Sequence, residues 1–339
     1  MLDIERHGEL LAYLRGAGIL AAEEDPPMRT LGGGVSNRAV LVASASRGAF
    51  VVKQALAKLR VAAEWYAAPE RIHREARAME ALGRLAPVGA IPRLLFEDRA
   101  RHLIGMTAVE EPHRNWKEML LAGEADPDHV RQFGELLGAI HAGSGADPAL
   151  PAAGFADRSF FESLRLEPYY RYSARQVPEA AAFFAPLIEE TMATRLALVH
   201  GDYSPKNILI HAGRLVLLDH EVAHWGDPAF DVGFSLTHLL SKALHLAAHR
   251  AEMLQAARIY ASCYLAGIAP CRWRAALEPR AVRHTLGCLL ARVAGRSPLE
   301  YLAPGERRAQ QEIALALMAR PPADLGTLIG AFAKELSCR

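Results

Sequence analysis

Residues 198–231, LVHGDYSPKNILIHAGRLVLLDHEVAHWGDPAFD, place four polar side chains at the ends of short apolar runs. Asp202 follows Leu196–Val199 across His200-Gly201. Asn207 opens Ile208–Ile210, and Asp219 and Glu221 close Leu215–Leu218. A strand end fixes the backbone while its loop reaches solvent, which suits a reactive side chain. Phosphoryl transfer needs residues of these types. A carboxylate must take the proton of the attacking hydroxyl, and hard oxygen ligands must hold the cations that neutralise the phosphates. Asp202 is the candidate base. Asn207 and Asp219 are candidate magnesium ligands, with Glu221 assisting directly or through water. Scattered surface acids would not be expected in this order, each beside a strand.

The Asp202-x-x-x-x-Asn207 interval is that of a kinase catalytic loop. With His200-Gly201-Asp202, Asn207, Leu218-Asp219 and Gly226-Asp227-Pro228…Asp231, the chain resembles the aminoglycoside phosphotransferase and choline kinase family. Asp219-His220-Glu221 has the D-x-E form of methylthioribose kinases. The likeness implies an α+β, bilobal protein-kinase-like fold. A small β-rich lobe would cover residues 1–107 and a larger, mainly helical lobe 108–339. It implies ATP and Mg2+ as cofactors and a small-molecule hydroxyl as acceptor.

The resemblance also implies roles upstream. Lys53, in Phe50-Val51-Val52-Lys53, would hold the α- and β-phosphates. Its acidic partner would be Glu75, on the helix face of Ile72 and Met79, with Glu70 and Glu80 as alternatives. Leu31–Asn37 would be the phosphate loop, through Gly33, Gly34, Ser36 and Asn37. Adenine would sit against Met106–Glu110, near Met106 and Ala108. Ser204 and Lys206 would touch the acceptor or the moving phosphoryl group. His200 is expected to anchor the loop, and Asp231 to hold it as the family's helix-start aspartate does. Trp116 is expected to pack just after the hinge. His224 and Trp225 fit either the core or the acceptor rim.

The elements that must position these residues can be read around them. One helix is expected over 3–21, then strands near 28–31, 38–43 and 50–54, separated by Gly32-Gly33-Gly34 and Ser46-Arg47-Gly48. A helix is expected over 69–85 and strands over 93–96 and 102–106. Beyond residue 107 helices are expected over 128–141 and 178–194, with an irregular aromatic stretch between them containing Phe160, Phe161, Tyr169, Tyr170 and Tyr172. After the β runs of 196–218 the chain reads as helical from Asp231 nearly to its end.

Composition bounds the alternatives. With 339 residues, 51% hydrophobic and 23% charged, the chain can build two packed lobes. A net charge of +1 with no basic run gives no field for nucleic acid or anionic membrane. The charged N-terminus lacks the apolar stretch of a leader, and Cys263, Cys271, Cys288 and Cys338 form no CxxC pair. A cytoplasmic monomer or homodimer is expected. A pseudokinase-like nucleotide-binding module would lack the base, the lysine or the metal ligands. A metal-dependent phosphoesterase would add an upstream D-x-H. Residues 261–339 carry eleven Lys or Arg against six acids, a net +5. If that segment walls the acceptor site, a neutral or acidic acceptor is expected over a polycation, with Arg292 and Arg296 the first arginines to suspect.

Overall fold

Successive side chains of a strand face opposite ways, and β3 (Gly48–Ala55) uses both faces. Phe50 and Val52 join Val40, Val42 and Leu103 in a small core that α1 (His7–Gly16) covers with Leu10 and Leu14. Val51 and Lys53 turn to the other face, toward α2 (Arg71–Leu85). The sheet is antiparallel and runs β1-β2-β3-β5-β4, with β1 Met28–Thr30, β2 Asn37–Ser44, β4 Leu94–Asp98 and β5 Leu103–Thr107. This computed structural model describes residues 2–32, 36–60, 66–147, 149–150 and 154–338. The expected phosphate-loop residues Gly33 and Gly34 lie outside them.

The remainder is mainly helical. It holds α3 (Trp116–Leu121), α4 (Pro127–Gly145), α7 (Ala181–Ala193), α8 (Ala229–His245), α9 (Arg250–Gly267), α10 (Arg274–Ala294), α11 (Pro304–Ala319) and α12 (Leu325–Ser337). The α8 helix is buried along almost its whole length and packs on α9 and α10. Its central residues therefore face protein on every side, and any charge there lacks bulk water. Two small β units hold the loops. β6 (His113–Asn115), β8 (Ile208–His211) and β9 (Arg214–Leu217) form one, and β7 (Ala197–Val199) pairs with β10 (His224–Gly226) in the other. No helix among the described residues is long and apolar enough to cross a membrane.

Several expectations change. The first helix is confined to His7–Gly16, because Gly18 adopts φ +67 and ends it. The aromatic stretch expected to be irregular is helical: α5 (Ser159–Phe161), a π-helical run Glu162–Arg171, then α6 (Tyr172–Gln176). Burial of Phe161, Tyr169 and Tyr170 holds it, a tertiary override of a weak local pattern. The wider π turn also accommodates Pro168, which lacks an N–H. The three-residue strands β6 and β10 are too short to show a period in sequence.

Candidate active site

Asp231, in the first turn of α8, shapes the loop after β7. It accepts N–H bonds from His200 (2.6 Å) and Gly201 (2.8 Å) and bonds His141 Nε2 at 3.2 Å. Gly201 has φ +78, and a Cβ there would lie 2.8 Å from Val222 Cγ1, so both conformation and space require glycine. His200 receives the Asp202 N–H on Nδ1 and meets His220 through Nε2, consistent with an anchor. Tyr203 stacks on Phe133 with ring centroids 4.4 Å apart and donates to the Phe133 carbonyl.

The Asp202 carboxylate is buried between cations. Arg165 Nη2 lies 3.0 Å from Oδ1, Lys206 Nζ 3.1 Å from Oδ2, and Asn207 Nδ2 donates to Oδ2 at 2.8 Å. Burial alone would raise its pKa. The charges of Arg165 and Lys206 outweigh burial and hold it below the usual aspartate value, so the group is ionised at neutral pH. Arg165 also donates from Nε to the Gly201 carbonyl at 2.6 Å, which ties the π-helical run to the loop. Ser204 is fully buried, and its Oγ has no partner among the described residues.

The opposite charge balance holds beside Lys53. Its Nζ bonds both Glu75 oxygens (2.8 and 2.7 Å) and Asp219 Oδ1 (2.7 Å). Asp219 adopts φ +65, a left-handed conformation that aspartate tolerates better than most residues. Glu221 accepts from Arg71 Nε (3.1 Å) and Asn37 Nδ2 (2.9 Å). Glu75, Asp219 and Glu221 can each offer an oxygen within 4.8 Å of the others. Three carboxylates thus face two side-chain cations. Burial pushes Glu75 up to about 7 against the pull of Lys53. Burial would also raise Asp219, but Lys53 and Lys206 hold it low. The acids in turn hold the Lys53 ammonium above its ordinary value against burial.

The structure therefore gathers Lys53, Glu75, Asp219 and Glu221 in one cluster and Asp202, Ser204, Lys206 and Asn207 in an adjoining one. Glu75, rather than Glu70 or Glu80, pairs with Lys53. Ser36 and Asn37 border the first cluster, with Asn37 Nδ2 spent on Ser36 and Glu221. Met106 is buried in β5, and Ala108 donates its N–H to the Ala49 carbonyl at 3.2 Å. Arg292 is buried against Tyr169. Trp116 is fully buried against Phe133, and His224 is a core residue stacked on Phe161.

Sequence reasoning missed Arg71 and Arg165. Arg71 is fully buried and, besides Glu221, donates to the carbonyls of Ser36, Leu56, Ala67 and Ala68. It binds the end of β3 and the start of β2 to the Asp219–Glu221 loop. Arg74, one turn on, donates to Ala223 O at 2.9 Å. The available signal was the spacing Arg71-x-x-Arg74-Glu75, which puts two arginines on the inward face of α2. Arg165 had no comparable sequence signal.

A family model described as the phosphotransferase enzyme family matches residues 27–256. Methylthioribose kinase 2 of Oryza sativa subsp. japonica is 25% identical over 263 residues, covering 68% of this chain and 61% of that protein. The chain thus spans about three fifths of the length of that relative. The structure of choline kinase from Cryptosporidium parvum Iowa II superimposes with a TM-score of 0.59 at 10% identity, covering 97% of this chain and 100% of that one. The streptomycin–ATP–APH(2")-IIa ternary complex gives 0.51 at 13% identity, covering 96% and 99%. The fold is the protein-kinase-like one of these structures.

Proposed function

The chain belongs to the phosphotransferase enzyme family, and on that premise we propose that it is a small-molecule kinase that moves the γ-phosphoryl group of ATP to a hydroxyl. The observation that carries this reading is the pairing of two adjoining clusters. One has surplus carboxylate around a lysine, and the other has an ionised carboxylate held between cations. Residues 1–107 supply Lys53 and Glu75 of the first; its Asp219 and Glu221, and the whole of the second, come from 108–339.

Surplus buried carboxylate oxygens fit a divalent cation, and magnesium favours hard oxygen donors. Asp219 and Glu221, with the Asn207 amide oxygen, would hold it, and it would neutralise phosphate charge. Lys53, oriented by Glu75, meets the α- and β-phosphates. Backbone donors near Ser36 and Asn37 approach the phosphates, and the segment from Met106 to Ala108 borders adenine. Asp202 takes the proton of the acceptor hydroxyl. Its depressed pKa keeps it ionised for that step, and the Asn207 Nδ2 bond fixes its orientation. Lys206, its side chain half exposed and its Nζ beside Asp202, is placed to meet the transferring group, and the free Ser204 Oγ to meet the acceptor.

The test is ATP consumption with magnesium against a panel of small alcohols, sugars and amino alcohols, with methylthioribose among them. Acceptor-dependent ADP release matched by phosphorylated acceptor is expected. ADP release with no acceptor product across the panel would contradict the reading.

A further inference from the structure

The side of Asp202 away from Lys53 carries buried positive charge in excess. Arg165 and Arg292 share two aromatic faces, lying 5.8 and 5.6 Å from the Tyr169 ring and 5.8 and 5.9 Å from Phe234. Along α8, Phe234, His238 and Lys242 recur at four-residue spacing and so share one strip. The His238 ring lies 5.2 Å from Phe234. Lys242 is fully buried, with Nζ 5.4 Å from the Tyr301 ring.

Arg165 is paired with Asp202, but among the described residues Lys242 and Arg292 have no carboxylate partner. Among the described residues, Lys242 Nζ has one acceptor, the His238 carbonyl at 3.3 Å, and no carboxylate partner. Among the described residues, His238 Nε2 and Arg292 Nε likewise have no hydrogen-bond partner, although both side chains are more than nine-tenths buried. The nearby acid, Glu300, is ion-paired with Lys117. Among the described residues, Arg292 Nη1 meets neutral oxygens, Tyr169 OH at 2.9 Å and Ser297 O at 2.7 Å and Oγ at 3.1 Å. A buried charge without a partner is costly, so a cluster of them suits a ligand that brings the missing charge.

We propose that the acceptor carries an anionic group, a carboxylate or a phosphate, and that Arg292, His238 and Lys242 form its subsite. This rests on the kinase reading above and narrows it. The anion belongs to the acceptor, because on that reading the ATP phosphates would be met by Lys53 and by a cation held on the acid cluster. Lys242 stands eleven residues along α8 from Asp231, about 16 Å of helix. The reacting hydroxyl and the anion therefore sit at separate positions of the acceptor, as in a hydroxy acid or a sugar phosphate.

The test uses the full chain. Thermal shifts and ATP turnover are measured with aldonic acids and sugar phosphates of four to six carbons, and with the matched neutral polyols and methylthioribose. At least one anionic compound is expected to exceed its neutral match by about tenfold or more in kcat/KM, the value of one charge-assisted hydrogen bond. The class that wins separates carboxylate from phosphate. Lys242→Met is expected to erase that preference while keeping the MgATP thermal shift. Three results would overturn the proposal. One is neutral compounds matching or exceeding every anion. Another is a preference that survives in Lys242→Met. The third is loss of the MgATP thermal shift in that variant, which would assign these cations to the nucleotide. Absence of any MgATP shift in wild type would strike the kinase reading instead, and the anion shifts would still be read separately.

Discussion

Two buried charge clusters meet at Asp202, and they are unbalanced in opposite directions. On the sheet side, Glu75, Asp219 and Glu221 outnumber Lys53 and Arg71. On the helical side, buried Arg165, Arg292 and Lys242, joined by half-exposed Lys206, outnumber Asp202. Folding alone does not favour either imbalance, since each leaves desolvated charge short of a partner. On the proposed kinase reading, the sign of each deficit matches the sign of what would be bound: a cation with its phosphates on one side, an anion-bearing acceptor on the other. Asp202 lies where the two meet, the place the proposed reading gives to a base between a phosphoryl donor and a hydroxyl.

The largest effect is expected at that junction. Asp202→Asn should lower kcat by roughly 10²–10⁴-fold, the contribution typical of a general base, while MgATP affinity stays near wild type. Turnover close to wild type would remove Asp202 from the chemistry and break the comparison at its centre.

The next largest concerns the sheet side. Among the described residues, Arg71 is the arginine paired with Glu221, and both are buried. Arg71→Met should destabilise by about 3–5 kcal/mol in chemical denaturation, because it strands a buried carboxylate. Added magnesium should recover part of the loss if Glu221 faces the cation. A variant as stable as wild type would show that Glu221 is not held by this pair.

On the helical side the sign reverses. Lys242→Met removes an unpaired buried charge and should raise Tm. The gain should depend on pH. Burial and the charges of Lys117 and Arg292 pull the Lys242 ammonium down to about 7 against the weaker pull of Glu300, with His238 and Tyr301 also facing it. Below pH 7 the lysine is charged in folded and unfolded chains alike, and the full burial penalty applies. From pH 7 toward 10.5 the folded chain has released a proton that the unfolded chain keeps, so wild type gains stability as pH rises. The advantage of Lys242→Met should therefore be largest below pH 7 and shrink toward pH 10.5. A lower Tm at pH 6 would contradict the uncompensated charge.

The smallest effect sets the scale for these buried pairs. Arg131 on α4 bridges Asp128 and Glu135 in solvent. Arg131→Ala should change stability by less than about 1 kcal/mol by denaturant titration, as exposed ion pairs usually do. A loss comparable to that of Arg71→Met would remove the distinction between buried and exposed pairs.

The sequence made some of this legible and hid the rest for physical reasons. Asp202, Asn207, Asp219 and Glu221 could be found because short apolar runs fixed their places at strand ends. Glu75 could be preferred over Glu70 and Glu80 because helical spacing set it beside Ile72 and Met79, and it does pair with Lys53. Arg71 and Arg165 could not be found so easily. An arginine is usually solvated, and only burial distinguishes one that orders a loop from one that faces water. The net +5 of residues 261–339 pointed to Arg292, but Lys242 and His238 fell outside the segment counted. The π-helical run was missed because its wide turn and Pro168 break the 3.6-residue pattern.

The most direct test of the opposed clusters is a calorimetric titration of the full chain with a non-hydrolysable ATP analogue, with magnesium and with EDTA, in wild type and Asp219→Ala. If the acid-rich side holds nucleotide through a cation, magnesium should tighten binding to wild type, and Asp219→Ala should lose most of that gain. Equal affinity with and without magnesium in wild type, or an undiminished magnesium effect in Asp219→Ala, would contradict it.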